Sequence, residues 1–223
     1  MARATDLPKS TVLRLLASLE DLGVVERIEG RYVLGNGLRE LTRHTSPASS
    51  LRSVARPYLT ELSEKYGENA SLAIRDGDEL LYIDTALAET ESGVQVSDWT
   101  GHQVPFHADA AGLVIMSSWS DDDIVQYAAT GLDAPTERTI TGRDELLERA
   151  ALIRSEGVAW TYGEFSEDVD GVAAPVEADG EVIGAVNIYG PAYRWPGERD
   201  TTLIVDDLLD VTTRISVRFS GDT

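Results

Sequence analysis

The sequence predicts an α+β protein in two unequal modules: a short helix-and-hairpin head of residues 1–45 and a larger sheet-bearing body of residues 68–223, joined by a helix over 46–67. Three observations predict it. Apolar residues recur at helical spacing up to Gly67, after which short β-rich runs alternate with brief helical stretches. Two pairs of those runs flank tight turns containing glycine, the signal of antiparallel hairpins. Charge divides as well: the first 45 residues hold seven basic and six acidic side chains, so the formal charge of −20 lies entirely in the rest of the chain.

Composition sets the outer bounds. A chain of 223 residues that is 42% hydrophobic can fill a real core, and the absence of cysteine excludes disulfide scaffolds, thiolate zinc sites and thiol nucleophiles. Imidazole can come only from His44, His102 and His107. No segment approaches the roughly 18 to 20 continuous apolar residues of a membrane span, and no signal-peptide layout opens the chain, so the expectation is a cytoplasmic protein without a membrane partner. Lys9 and Lys65 are the two lysines among 19 basic residues; with 39 acidic residues this predicts adaptation to a salt-rich cytoplasm. Spread evenly, such an acidic charge would oppose nucleic acid, because phosphate binding needs a cationic surface. It is not spread evenly.

Asp6-Leu7-Pro8 opens the first helix, with Pro8 in the first turn, where its missing N–H costs nothing. Val12, Leu15, Leu16, Leu19 and Leu22 make one apolar face, and Gly23 stops the helix. Lys9, Ser10, Thr11, Arg14 and Ser18 lie off that face. Val24–Ile28 and Arg31–Gly35 around a Glu29-Gly30 turn predict a hairpin, and a polar-faced helix followed by a hairpin with arginine on both strands is the layout of a winged helix-turn-helix. Ser46–Ser50 is expected as linker and helix cap, and Leu51, Val54, Ala55, Tyr58, Leu59, Leu62 and Tyr66 as a helical stripe. In the body, Ser71–Arg75 and Glu79–Asp84 flank an Asp76-Gly77-Asp78 turn, and Val94–Trp99 is expected to continue the sheet. Ala108–Ser118 and Asp121–Thr130 read as helices, and Thr141 as the cap of a helix running to Gly157. Val172–Glu177 and Glu181–Tyr189 make a second hairpin around Ala178-Asp179-Gly180, and Arg199–Phe219 is an amphipathic terminal helix. Sheet and helices together suggest a sensor domain of the GAF or profilin-like kind.

Several of these segments, in order over nearly the whole chain, resemble the IclR-type transcriptional regulators. The stretch from Ala4 through Pro8-Lys9-Ser10-Thr11 to Glu26, followed by Gly30–Gly35, is similar to that family's winged helix. Gly101-His102-Gln103-Val104-Pro105-Phe106-His107 with Ala110 and Gly112 resembles its effector-domain pattern, and Val172–Val176 with Val182–Pro191 and Arg194 its C-terminal hairpin. Against the family pattern the head starts late, as a truncated winged helix-turn-helix without its first helix. The resemblance, joined to the acid-rich and lysine-poor composition, points to a haloarchaeal member. It implies a homodimer or tetramer on a palindromic operator in double-stranded DNA, some members repressing and others activating, with a pocket in residues 68–223 for a small effector, an organic or aromatic acid. Coupling would pass through the helix at 51–66. An effector-binding sensor that associates without contacting DNA is the alternative.

Candidate DNA contacts are Lys9, Ser10, Thr11 and Arg14 on the helix and Arg27, Arg31 and Tyr32 on the wing, with Arg14 the best candidate for reading a guanine edge. The resemblance places the effector pocket against Asp109, Ala110 and Ala111, against Thr161, Tyr162, Glu164, Val169 and Gly171, and against Asn187 and Tyr189. Small residues leave room there, and a helix N-terminus would supply N–H groups to an anionic ligand. Tyr189 departs from the small hydroxyl residue usual in the family, and Glu164 facing a carboxylate would repel it unless protonated or paired, which favours a role as a structural cap. His102, His107 and Asp109 can also be read as a metal or hydrolase site, but no partner or nucleophile completes one, so no metal, cofactor or enzymatic activity is expected.

Overall fold

The computed structural model of the chain describes residues 8–28, 31–34, 47–89 and 96–221. They fall into two compact units that divide between Ser50 and Leu51.

In the first unit, α1 (Lys9–Asp21) begins one residue later than the proline pattern predicts. Pro8 is itself extended (φ −57°, ψ 141°) and bounds the helix, its carbonyl accepting from the N–H groups of Thr11 and Val12. Gly23, at φ 66°, ends the turn, and β1 (Val25–Ile28) pairs antiparallel with β2 (Arg31–Leu34), placing Arg27 opposite Tyr32. The predicted Glu29-Gly30 turn and Gly35 lie outside the described residues. Of the predicted apolar face, Leu16 is buried and Val12 half-buried, whereas Leu15, Leu19 and Leu22 are exposed. Among the described residues, one helix and a short hairpin present too little apolar surface to cover them.

The second unit opens within α2 (Pro47–Tyr66), whose first turn occupies what the sequence suggests is linker; proline is tolerated there because first-turn N–H groups have no intrahelical partner. Six antiparallel strands follow: β3 (Asn69–Asp76), β4 (Glu79–Ala86), β5 (Gln103–Val104), β6 (Ala159–Tyr162), β7 (Val169–Ala178) and β8 (Glu181–Pro191). Their order across the sheet is β5-β4-β3-β8-β7-β6. Both predicted hairpins form. Between β7 and β8 the turn residues Asp179 and Gly180 take φ 53° and 82°, the two positive angles that a tight hairpin turn needs. The edge differs from expectation: Val96–Trp99 forms no strand, because the Asn69 side chain takes the Val96 carbonyl (3.0 Å), and Gln103–Val104 pairs with β4 instead.

Strand alternation sends side chains to two cores. Leu72, Val172, Val186 and Ile188 pack on α2 and on α6 (Thr201–Gly221). Ala73, Ala173 and Ala185, their neighbours in sequence, face α3 (Ala110–Ser117), α4 (Asp121–Ala128) and α5 (Arg143–Glu156). The small residues on this second face let α3 lie close to the sheet. Ser120 caps α4 through the Asp123 N–H, with three aspartates in the first turn. The boundary of α5 is Gly142 rather than the predicted Thr141, and its Asp144 and Glu145 complement the helix dipole in place of a side-chain cap. A sheet with helices on both faces makes the α+β body predicted, and no helix among the described residues is long and apolar enough to cross a membrane.

Candidate functional site

A cavity of about 470 Å³ opens where the α3 face of the sheet meets the N-terminus of α3, within the range of about 300–1,000 Å³ typical of small-molecule sites. β4 supplies Tyr82, β7 supplies Val169 and Gly171, and β8 supplies Asn187 and Tyr189, positions that alternation turns toward α3. Asp109 and Ala110 come from the start of α3. Trp99 and Phe165 form an aromatic wall, their rings edge to face at 5.2 Å.

A polar relay crosses the site. Burial, and then the neighbouring Asp109 charge, push the Tyr82 hydroxyl well above its ordinary pKa, so it keeps its proton and donates to Asp109 Oδ2 (2.8 Å). The Tyr82 oxygen in turn accepts from Asn187 Nδ2 (2.9 Å), which leaves the buried Asn187 Oδ1 without a protein partner. Under Tyr189, hydroxyls run from Ser71 through Thr85 to Thr100 at 2.9 and 3.1 Å. Among the described residues no lysine, arginine or histidine lines the cavity, while two carboxylates, Asp109 and Asp168, do.

Of the ten residues expected at the pocket, Asp109, Ala110, Thr161, Val169, Gly171, Asn187 and Tyr189 line this cavity and three do not. Ala111 is buried in the helix core. Tyr162 follows Thr161 by one residue, so strand alternation turns it away, stacked on Trp160. Glu164 is turned into an ion pair with Arg149 (2.6 Å) rather than into a cap; burial raises its pKa against that pairing. At the start of α3, Asp109 Oδ1 accepts from the N–H groups of Ala111 (2.8 Å) and Gly112 (3.3 Å), which takes two of the donors expected for an anionic ligand. Burial raises the Asp109 pKa, and these bonds with that from Tyr82 oppose the rise. Tyr82, Trp99, Phe165 and Asp168 were missed. Only Tyr82 had a usable signal, two residues beyond inward-facing Leu80 on an alternating strand.

His107 points elsewhere. Its Nε2 lies 2.8 Å from the Asp133 carbonyl and its Nδ1 2.8 Å from the Tyr127 hydroxyl. A carbonyl can only accept, so Nε2 carries the proton and Nδ1 accepts from Tyr127. Burial lowers the His107 pKa, in keeping with a neutral ring. Among the described residues no three histidine or carboxylate side chains are grouped to hold a metal.

In the first unit, Ser10 and Arg14 are exposed one turn apart on α1, and Thr11 is half-buried between them. Lys9 begins α1 and Arg31 begins β2. Arg27 is exposed on the wing, its guanidinium 5.8 Å from the centre of the Tyr32 ring. A helix with a polar face, a two-stranded wing behind it and a separate α+β unit enclosing a cavity define a winged-helix transcriptional regulator with a sensor domain.

Comparison with known proteins gives the family. Residues 44–217 match the model of the bacterial transcriptional regulator IclR C-terminal domain, and residues 1–29 match the IclR helix-turn-helix domain. The chain belongs to the IclR family of transcriptional regulators. The HTH-type transcriptional regulator KipR of Bacillus subtilis is 26% identical over 215 residues, which span 95% of this chain and 85% of KipR. The crystal structure of Thermotoga maritima IclR superposes with a TM-score of 0.69 at 25% identity, covering 98% of this chain and 89% of that one. An IclR homolog from Microbacterium hydrocarbonoxydans, crystallised with 4-hydroxybenzoate, shares the fold with a TM-score of 0.73 at 24% identity, over 100% of this chain and 90% of that one.

Proposed function

We propose that the chain is a cytoplasmic DNA-binding regulator, acting as a homodimer or tetramer on a palindromic operator and controlled by a small aromatic effector held between α3 and the sheet. The cavity carries this reading: seven residues expected at an effector pocket, from four separate stretches of the chain, surround one space. The 4-hydroxybenzoate in the Microbacterium homolog supports an aromatic ligand. Lys9, Ser10, Thr11 and Arg14 would meet the major groove, and Arg27, Arg31 and Tyr32 the backbone beside it. α2 would transmit the effector signal, since residues from Leu51 to Tyr66 are packed into the sheet of the sensor. The acid-rich, lysine-poor composition supports a salt-rich, haloarchaeal-type cytoplasm.

Footprinting of the chain on its own upstream DNA at high salt, with and without ligand, tests the reading. Protection of a palindromic site that a cavity ligand strengthens or weakens is expected. A chain that binds ligand yet protects no DNA at any salt would instead be a sensor without an operator. Turnover of a bound ligand would make it an enzyme.

A further inference from the structure

We infer that the effector of this protein carries a positive charge: an arylalkylamine, its amine on a carbon beside the ring and so protonated at neutral pH, rather than an aromatic acid. The inference rests on the reading of the cavity as an aromatic effector site and adds the charge of its occupant.

Charge and hydrogen bonding among the described lining residues point the same way. A carboxylate ligand would need a cation or a set of free N–H donors. Among the described residues the lining has no lysine, arginine or histidine, and Asp109 takes the Ala111 and Gly112 N–H groups at the start of α3. Of the nearby cations, Arg149 is paired with Glu164, Arg194 is held by Glu68, and Arg138 donates to the Tyr162 carbonyl (3.3 Å) outside the lining.

What the cavity does offer is negative charge and aromatic surface. Asp168 is exposed at its mouth and makes no ion pair among the described residues. Asp109 lies within. Tyr82, Trp99, Phe165, Tyr189 and Tyr193 supply ring faces and edges around them. Aromatic faces attract an ammonium through their quadrupole, and a carboxylate at the rim adds Coulomb attraction in a partly desolvated place. An anionic ligand would meet the same groups with the opposite sign.

The test is isothermal titration of the full chain with three probes that share one ring: benzylamine, benzyl alcohol and benzoate. Benzylamine should bind about tenfold or more tightly than benzoate, with benzyl alcohol between them, and the spread should narrow as salt rises. Asp168→Lys, an exposed position where charge reversal spares the core, should weaken benzylamine and bring benzoate to parity or ahead. Wild-type binding of benzoate as tight as benzylamine would overturn the inference and leave the aromatic site standing. An Asp168→Lys variant that melts like wild type and keeps the wild-type preference would overturn it too. If none of the three probes binds, the aromatic reading of the cavity fails and the inference falls with it.

Discussion

Gly190 has no room for a side chain: a Cβ there would lie 2.6 Å from the Glu68 carboxylate. That carboxylate is buried and receives Arg194 through two hydrogen bonds of 2.7 and 2.9 Å. The C-terminal hairpin pattern thus has a physical content, a glycine making space for an acid that holds an arginine. Arg194→Ala would strand the buried carboxylate and should cost about 3 kcal/mol or more in urea denaturation, with Arg194→Lys recovering only part because lysine cannot reproduce the forked pairing. Gly112 answers to a similar constraint, since its Cβ would meet the Phe106 carbonyl oxygen at 2.4 Å. Gly112→Ala should lower the urea midpoint by an amount equivalent to about 1–3 kcal/mol, and a neutral result would mean that α3 can shift away from the turn before it.

α3 is buried on all sides, from Ala110 to Ser117. A helix without a polar face has no periodicity to read, so its sequence signal came from its length and flanking residues, and the predicted start at Ala108 missed the 3₁₀ turn over Phe106–Ala108. Asp109 fixes the true start by capping, and it makes the element sensitive to pH. Burial raises its pKa in the folded chain, so folded Asp109 holds its proton to higher pH than the unfolded chain does. The contribution to stability is therefore fully present below the ordinary aspartate range and is lost as pH rises through the raised value. Asn at this position keeps an oxygen for the cap and cannot ionise. Relative to Asp109→Asn, wild type should be most stable near about pH 4 and lose ground toward about pH 7. Denaturant midpoints of both proteins across that range check this, and a difference that grows with pH would show that the cap and the Tyr82 bond outweigh burial.

For the whole molecule, the division of charge governs how DNA is held. A near-neutral head neutralises few phosphates, so operator affinity should fall less steeply with salt than for a strongly basic winged helix, with a log–log slope of roughly −0.9 for each phosphate contacted. Arg14→Ala should weaken specific binding by about 1–3 kcal/mol in fluorescence anisotropy while leaving the melting temperature of the sensor unchanged. An equal loss on random and operator DNA would make Arg14 a phosphate contact instead. The sequence by itself determined the α+β class, both body hairpins, the wing, the helical stripe of α2 and seven of the residues that line the pocket, because local pattern, turn chemistry and family-like motifs all act over short stretches of chain. Tertiary structure alone decided what completes the site and what charge it presents. Strand order β4-β3-β8-β7 brings Tyr82 and Asn187, 105 residues apart, into one relay. Trp99, Phe165 and Asp168 arrive from loops whose local sequence has no period to reveal them. How many N–H donors the start of α3 leaves to a ligand depends on where one Asp109 side chain turns, and that is set by packing rather than by pattern.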